Sequence, residues 1–185
     1  MPLQVTLASQ SPRRLELLRQ IGIAPDRIIA PEIDETPLAE EPPRAYALRM
    51  ALGKLVPGDG FVIAADTVVA LGRRILPKAE TLQQAEKCLA LLSGRRHRVY
   101  TGVAVRGPDG RVVSRAVMTV VGFARLDVDQ MRDYLASGEW QGKAGGYAIQ
   151  GRAAALIDFV SGSYSGVVGL PLYETAALLR GLGYR

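Results

Sequence analysis

The sequence of 185 residues predicts an α/β fold in which a mixed, twisted sheet is flanked by helices. Apolar, strand-like runs alternate with helix-like segments along the chain, which is typical of this class. Two β-rich runs, at 98–105 and 112–123, are separated by Gly107-Pro108-Asp109-Gly110, and this predicts an antiparallel hairpin. Because no repeat or linker interrupts the chain, we expect residues 1–185 to form one domain, with two lobes around a cleft.

The chain opens with a predicted strand, a tight turn and a helix. Residues 3–8 form a short apolar run that is typical of a buried strand. Ser11 suits the N-cap of the following helix, and Pro12 suits its first position because an N–H there would have no helical partner. Gly22 suits the C-terminal stop of this helix.

The remaining elements follow from the same signals. Before the hairpin we expect a strand at 27–30, a helix from Pro42 to about Leu55, an uncharged central strand at 61–65, and a helix capped by Thr81 that ends at Leu92. After the hairpin we expect a helix at 127–136, a glycine-rich segment at 138–151, a strand at 154–160 and a final helix at 170–182.

Composition excludes several classes of protein. Hydrophobic residues make up 48% and charged residues 22% of the chain, which excludes wholesale disorder. No run approaches the ~18–20 apolar residues of a membrane span, and no signal-peptide pattern opens the chain. A single cysteine, Cys88, excludes an internal disulfide framework, and a single histidine, His97, disfavours a histidine metal site or a Ser-His triad. We expect a cytoplasmic, soluble protein with Cys88 in the core and His97 in a solvated loop.

The net charge of +5 allows two interpretations. Only four of the 23 basic residues are lysines, and arginine is the better bidentate partner for phosphate. A nucleic-acid-binding surface is one interpretation. A scattered, solvated basic surface is the other, and it is favoured when no basic patch is evident.

Two segments at predicted strand ends are candidates for binding an anion or for catalysis. The turn from Ser9 to Arg14 opens a helix whose N-terminal N–H groups suit an anion, and Arg13 and Arg14 add donors there, although both arginines would equally suit an exposed helix. Asp66 follows the buried run at 61–65, where a carboxylate is costly to desolvate unless it is hydrogen-bonded, metal-bound or catalytic. A turn aspartate that caps its own backbone is the alternative.

Two loops add further candidates. Glu32, Asp34 and Glu35 lie within four positions, and carboxylates are the ligands that Mg²⁺ prefers. The segment 142–151 combines four glycines with a lysine, a tyrosine and Gln150, whose amide suits the edge of a base. A flexible loop is the alternative interpretation of this segment.

These segments together resemble the Maf family of nucleoside triphosphate pyrophosphatases. The matching blocks occur in family order and span nearly the whole chain. They are Leu7-Ala8-Ser9-Gln10-Ser11-Pro12-Arg13-Arg14, Ala65-Asp66-Thr67-Val68-Val69, Leu92-Ser93-Gly94, Lys143-Ala144-Gly145-Gly146-Tyr147-Ala148-Ile149-Gln150-Gly151 and Val168-Gly169-Leu170-Pro171-Leu172.

The resemblance implies hydrolysis between the α- and β-phosphates of a nucleoside triphosphate with a divalent cation, Mg²⁺ or Mn²⁺. It implies a fold similar to that of inosine triphosphatase, and a homodimer, since family members are often dimeric. Asp66 matches the catalytic base and Glu35 the acid of the loop, and both match metal-binding positions. The substrate-binding positions that the resemblance implies are Ser9, Arg13, Arg14, Lys54, Thr67, Lys78 and Gln150, of which Arg13, Thr67 and Gln150 match positions linked to substrate choice.

The subfamily and some assignments rest on weaker matches. Ser161-Gly162-Ser163-Tyr164 resembles the branch that acts on dTTP and UTP, whereas the branch that acts on 7-methyl-GTP carries a more acidic segment there. Pro77-Lys78-Ala79 departs from the Gly-Lys-Pro of the family, and no motif surrounds Lys54. If the match to the family is shifted along the acidic loop, Glu32 or Asp34 takes the place of Glu35.

Two other functions are the alternatives: a nucleotide-binding regulator of cell division without turnover, and a nucleic-acid-binding module. We expect neither a nucleic-acid polymer nor a membrane as partner.

Overall fold

The computed structural model describes residues 4–185, so Leu3, with which the first predicted strand begins, lies outside the described residues. A seven-stranded sheet forms the centre of the molecule. Its strands are β1 (Val5–Leu7), β2 (Arg27–Ile28), β3 (Phe61–Leu71), β4 (Arg74–Leu76), β6 (Arg96–Arg106), β7 (Val112–Phe123) and β9 (Ile157–Ser161). Two further strands, β5 (Lys78–Ala79) and β8 (Lys143–Ala144), pair with each other in a second, small sheet.

The large sheet is mixed, as the sequence predicts. Strand β1 lies between β2 and β3 and is parallel to both. Antiparallel pairing then joins β3 to β6, β6 to β7 and β7 to β9, while β4 folds back on the end of β3. The predicted hairpin is confirmed: β6 and β7 pair along their whole length, from Arg96 opposite Gly122 to Arg106 opposite Val112.

Helices cover both faces of this sheet. They are α1 (Pro12–Gln20), α2 (Pro43–Gly53), α3 (Leu82–Leu92), α4 (Val128–Ala136), α5 (Tyr164–Val168) and α6 (Leu172–Gly181). The larger core, with Leu7, Ile63 and Leu89 fully buried, lies on one side. Helix α2 packs Tyr46 and Met50 in a smaller cluster with Val68 of β3. Each fully buried side chain of this size contributes about 1.5–3 kcal/mol, so burial holds the helices to the sheet.

The helix starts agree with the capping signals in the sequence. Thr81 caps α3 with a complete capping box: its hydroxyl accepts from Gln84 N, and the side chain of Gln84 accepts from the backbone of Thr81. Ser11 occupies the N-cap of α1 and Pro12 its first position, but the Ser11 side chain makes no capping hydrogen bond. Gly22, with φ of 77°, follows the end of this helix.

Several predicted element bounds need correction. The central strand expected at 61–65 extends from Phe61 to Leu71, because β6 and β4 pair with it beyond Ala65, and the strand expected at 27–30 is Arg27–Ile28. The strand expected at 154–160 begins at Ile157, because Arg152–Leu156 forms a 3₁₀ helix in which three alanines favour a helical turn over a strand. Helix α2 ends at Gly53 rather than at about Leu55, and α6 begins at Leu172 because Pro171 is its N-cap. The short elements β4, β5, β8 and α5 have no counterpart in the sequence prediction.

His97 was expected in a solvated loop, and this is wrong. It lies on β6 with 2% of its surface exposed, and its Nε2 is 2.7 Å from the hydroxyl of Tyr147. The alternation of buried and exposed residues along β6 directs His97 inward while its arginine neighbours point outward. Cys88 is buried in α3, as predicted.

None of the helices within residues 4–185 has both the length and the apolar character needed to cross a membrane.

Candidate active site

A cavity of about 590 Å³ opens between the β1–α1 turn, the middle of β3, the end of α2 and the small β5–β8 sheet. Five cationic and two anionic side chains line it, so cations exceed carboxylates by three. These charged side chains are Arg13, Arg14, Lys54, Lys78, Lys143, Glu35 and Asp66. The cavity therefore suits a ligand that carries several negative charges.

Asp66 lies in the interior of β3, opposite Gly102 of β6, and not at a strand end as the sequence suggested. The strand continues beyond Asp66 because β6 and β4 still pair with it, whereas the pairing of β1 ends at Ile63. Asp66 thus lies just past the carboxyl end of β1, where open α/β sheets bind ligands. Only 5% of its surface is exposed, so the carboxylate needs a partner.

Lys54, immediately after α2, supplies that partner. Its Nζ lies 2.7 Å from Oδ1 of Asp66 and 2.7 Å from Oε1 of Glu35, so one ammonium joins the two carboxylates. The other oxygen of Asp66, Oδ2, accepts no hydrogen bond from residues 4–185 and remains available to a ligand in the cavity.

A second lysine holds the side chain of Glu35, and a tyrosine holds its backbone carbonyl. Lys78 Nζ, on β5, lies 3.0 Å from Oε2, and the hydroxyl of Tyr46 donates to the carbonyl oxygen of Glu35 at 2.7 Å. Partial burial raises the pKa of Glu35, but the hydrogen bonds and charges of Lys54 and Lys78 outweigh burial and bring it to about 2. Burial and the nearby charges of Asp66 and Glu35 raise the pKa of Tyr46 to about 12.

The neighbouring acidic residues of this loop have other surroundings. Glu32 is exposed and does not line the cavity. The Oδ1 of Asp34 accepts from the backbone N–H of Thr36, which is a local turn contact. The geometry thus brings Glu35, of the three acids, to the lysines.

Arg14 connects three segments of the site. Its Nε donates to the carbonyl of Gly169 at 2.8 Å, its Nη1 to the hydroxyl of Ser9 at 3.0 Å and its Nη2 to the hydroxyl of Thr67 at 3.4 Å. All three acceptors are neutral, so the charge of Arg14 is not cancelled by these contacts. Burial lowers the pKa of Arg14, while the charge of Asp66 opposes that shift.

A chain of hydroxyl groups continues from Arg14 into the sheet. Thr101 Oγ1 donates to the carbonyl of Gly166 at 2.7 Å and lies 3.1 Å from Thr67 Oγ1. Since a hydroxyl has one hydrogen, Thr101 must accept from Thr67, and Thr67 in turn accepts from Arg14. Thr67 therefore has only acceptor capacity left toward the cavity.

Lys143 is a site residue that the sequence did not identify. It lies on β8, lines the cavity, and its Nζ donates to the backbone oxygen of Gln141 at 3.0 Å. The available signal was its place in the glycine-rich segment, between Gly142 and Gly145. Tyr147, from the same segment, also lines the cavity.

The structure brings together most of the residues that the sequence singled out. Those around one cavity are Ser9, Arg13, Arg14, Glu35, Lys54, Asp66, Thr67 and Lys78. Gln150 is exposed and is not among the residues that line this cavity, so its part in substrate choice stays a prediction.

The cavity offers few side-chain ligands for a divalent cation. Residues 4–185 contain no cluster of three or more His, Cys, Asp or Glu side chains placed to hold a metal ion. Two carboxylates, Glu35 and Asp66, line the cavity. Because Mg²⁺ commonly binds through one or two carboxylates together with substrate phosphates, this donor set fits a cation that binds with a nucleotide.

Comparison with known proteins identifies the family. The model of the family described as Maf-like protein matches residues 4–182. A relative from Caulobacter vibrioides named dTTP/UTP pyrophosphatase is 59% identical, with 98% of this chain and 96% of the relative covered. Relatives of the same name from Rhodospirillum rubrum and Maricaulis maris are 55% and 56% identical, each with 98% of this chain and 89% of the relative covered.

A solved structure, a HAM1 protein from Coxiella burnetii, has the same fold. Its TM-score is 0.54 at 18% identity, and the match covers 97% of this chain and 99% of that one. The mixed α/β class predicted from the sequence is thereby confirmed. With the family model matching residues 4–182 and relatives above 50% identity along nearly the full length, the chain belongs to the Maf family.

Proposed function

We propose that this chain hydrolyses the bond between the α- and β-phosphates of dTTP and UTP, releasing the nucleoside monophosphate and pyrophosphate. The observation that carries the proposal is the joining of Asp66 and Glu35 by Lys54 inside a cavity with three excess cations. The relatives that are 55–59% identical over nearly the whole chain and named dTTP/UTP pyrophosphatase support the same activity and the same bases.

Asp66 is the base in this proposal. Its Oδ2, free of hydrogen bonds from residues 4–185, takes a proton from a water in the cavity. The water oxygen forms a bond to the α-phosphorus, the bond from the α-phosphorus to the bridging oxygen breaks, and the electron pair leaves with pyrophosphate. Lys54 fixes the orientation of the Asp66 carboxylate through the contact at Oδ1.

The cationic side chains supply most of the stabilisation. Phosphoryl transfer gives a protein little covalent chemistry to do, so catalysis lies mainly in positioning and in neutralising charge. Arg13, Lys78 and Lys143 line the cavity with donors directed to phosphate oxygens in this proposal. The guanidinium of Arg14 donates hydrogen bonds to Ser9, Thr67 and Gly169, and so it holds the phosphate-binding turn against β3.

A divalent cation, Mg²⁺ or Mn²⁺, is part of the proposal. Glu35 and Asp66 would hold it together with phosphate oxygens of the substrate. When bound, it would polarise the phosphate and neutralise developing negative charge. A homodimer, a cytoplasmic location and the absence of a nucleic-acid partner remain predictions.

Replacement of Asp66 by asparagine tests the proposal. The Asp66→Asn variant keeps the size of the side chain but removes the base, so kcat for pyrophosphate release from dTTP with Mg²⁺ should fall about 10²–10⁴-fold. Asp59→Asn, at an exposed position outside the cavity, is the matched control and should keep full activity. Undiminished turnover by a folded Asp66→Asn protein would rule out Asp66 as the base. A wild-type protein that binds dTTP without turnover would instead favour a nucleotide-binding regulator.

A further inference from the structure

Three of the five cations in the cavity, Arg13, Arg14 and Lys143, have no carboxylate partner within residues 4–185. Lys54 and Lys78 lie 2.7–3.0 Å from carboxylate oxygens, and Arg14 donates to three neutral oxygens. Across the same described range, Arg13 and Lys143 take part in no ion pair, and Lys143 Nζ donates only to the backbone oxygen of Gln141. The uncompensated positive charge of the cavity is therefore concentrated on Arg13, Lys143 and Arg14.

Arg13 and Lys143 are unfavourably placed when no anion is present. Both side chains are partly withdrawn from water at the edge of the same cavity. Burial lowers the pKa of each group, and the charge of Arg13 lowers that of Lys143 further, although the charge of Glu139 opposes the shift of Lys143. Two like charges that share a partly desolvated space are stabilised by an anion that contacts both.

Strand pairing and backbone hydrogen bonds fix the backbone around Lys143. Strand β8 pairs with β5 so that Lys143 lies opposite Ala79. Gly142 N donates to Ala79 O at 2.8 Å and Gly145 N donates to Pro77 O at 3.0 Å. At Gly145, with φ of 67°, a Cβ would lie 2.8 Å from Val69 Cγ1, so this segment packs directly on β3. Lys143 thus extends from a strand whose backbone is fixed by these contacts. A side chain that is to hold a phosphate group in one position needs such a fixed backbone.

We propose that Arg13 and Lys143 form the subsite that holds the two phosphates released as pyrophosphate, with the α-phosphate nearer to Asp66. This assignment rests on the proposed function. The α-phosphate must lie beside the base, where Lys54 is already paired with carboxylates. The β- and γ-phosphates carry most of the charge of the triphosphate. They are met by Arg13 and Lys143, since Arg14, the third cation without a carboxylate partner, already donates to Ser9, Thr67 and Gly169. Lys143 is accordingly a substrate-binding residue for the leaving group.

Calorimetric binding of inorganic pyrophosphate and of dTMP, each with Mg²⁺, tests the assignment. Lys143→Met should raise the Kd for pyrophosphate roughly tenfold or more, the loss expected for one charge-assisted hydrogen bond. The same variant should leave the Kd for dTMP within about twofold of wild type. Lys143→Arg, which keeps the charge, should restore most of the affinity for pyrophosphate. Lys87→Met, at an exposed position of α3 outside the cavity, is the matched control and should behave as wild type.

The outcomes separate this subsite from the proposed function. A pyrophosphate Kd unchanged in Lys143→Met, a rise confined to dTMP, or no pyrophosphate binding by the wild type would each overturn the subsite. Failure of the wild type to release pyrophosphate from dTTP would overturn the proposed function, and the shift in pyrophosphate Kd would still show whether Lys143 contacts that anion.

Discussion

At the scale of single residues, the site depends on side chains that are costly to bury alone and are therefore paired. Asp66, with 5% of its surface exposed, is buried with Lys54, and Lys54 also contacts Glu35. If one partner of such a pair is removed, the other remains as an uncompensated buried charge. The loss in the free energy of unfolding is then larger than the contribution of the intact pair. Pairing thus explains why acids and lysines from distant segments lie together.

Thr101 sets the direction of the hydrogen-bond chain beside Asp66. Thr101→Val keeps the shape but leaves Gly166 O without its donor and Thr67 without its acceptor, so the free energy of unfolding should fall by about 1–3 kcal/mol. Because the Thr67 hydroxyl is then free to rotate at the cavity wall, KM for dTTP should rise more than kcat falls. Thr101→Ser should restore both quantities. Equal stability and KM in Thr101→Val and wild type would contradict this role.

His97 makes stability depend on pH. Burial lowers its pKa to about 4, from an ordinary value of 6.5, so between these values the unfolded chain binds a proton that the folded chain does not. The stabilisation is complete above pH 6.5 and is lost as the pH falls toward 4, reaching about 2 kcal/mol of loss at pH 5. Urea unfolding of wild type and His97→Gln at pH 7 and pH 5 measures this, and the variant should lose about 2 kcal/mol less. An equal loss in both proteins would refute the assignment.

The sequence was informative about residues where local chemistry is unusual. Arginines at a helix start and an aspartate after an apolar run identified Arg13, Arg14 and Asp66, and the structure brings them to one cavity. His97 was misplaced because its arginine neighbours suggest solvent, whereas strand alternation buries it. Which acid of the loop meets the lysines depends on tertiary contacts, and no local pattern distinguishes Glu35 from Glu32.

At the scale of elements, close packing of α2 on β6 places Lys54 beside Asp66. Gly102 of β6 lies opposite Asp66, and a Cβ at Gly102 would lie 2.3 Å from the carbonyl oxygen of Ala47 in α2. A side chain at this point would therefore push the helix away from the strand. Since Lys54 directly follows α2, the geometry of the charged cluster depends on this contact.

Gly102→Ala tests this dependence. The clash is with backbone, so we expect a loss of about 1–3 kcal/mol or more in the free energy of unfolding, together with reduced turnover as Lys54 shifts. Gly181→Ala, at a helix position with nothing within 4 Å of the added Cβ, is the matched control and should be neutral or stabilising. Thermal melts and dTTP kinetics of both variants decide the question. Wild-type stability and turnover in Gly102→Ala would show that the contact is not needed.

The long elements were predictable and the short ones were not. Strong periodicity and capping signals specified α3, β7 and the hairpin nearly to the residue. Strands β5 and β8 have two residues each, too few for any periodicity, and the residues that they pair, Lys78 with Ala144 and Ala79 with Lys143, are far apart in the sequence. That pairing brings Lys143 to the cavity, which explains why the sequence missed this residue.

At the scale of the whole molecule, the position of the basic residues is more informative than their total. A net charge of +5 allowed a surface for a nucleic-acid polymer. Two arginines and three lysines of the 23 basic residues line one cavity together with two carboxylates. Such an enclosed group of cations matches a single polyanionic nucleotide better than an extended strand.

The identity of the products formed from dTTP and UTP tests the central claim most directly. Purified wild-type protein with Mg²⁺ is incubated with dTTP, UTP or dCTP, and the products are separated by anion-exchange chromatography. We predict dTMP or UMP with an equal amount of pyrophosphate, no orthophosphate, and slower turnover of dCTP. Formation of dTDP or UDP with orthophosphate, or no cleavage of any of the three nucleotides, would contradict the proposed function.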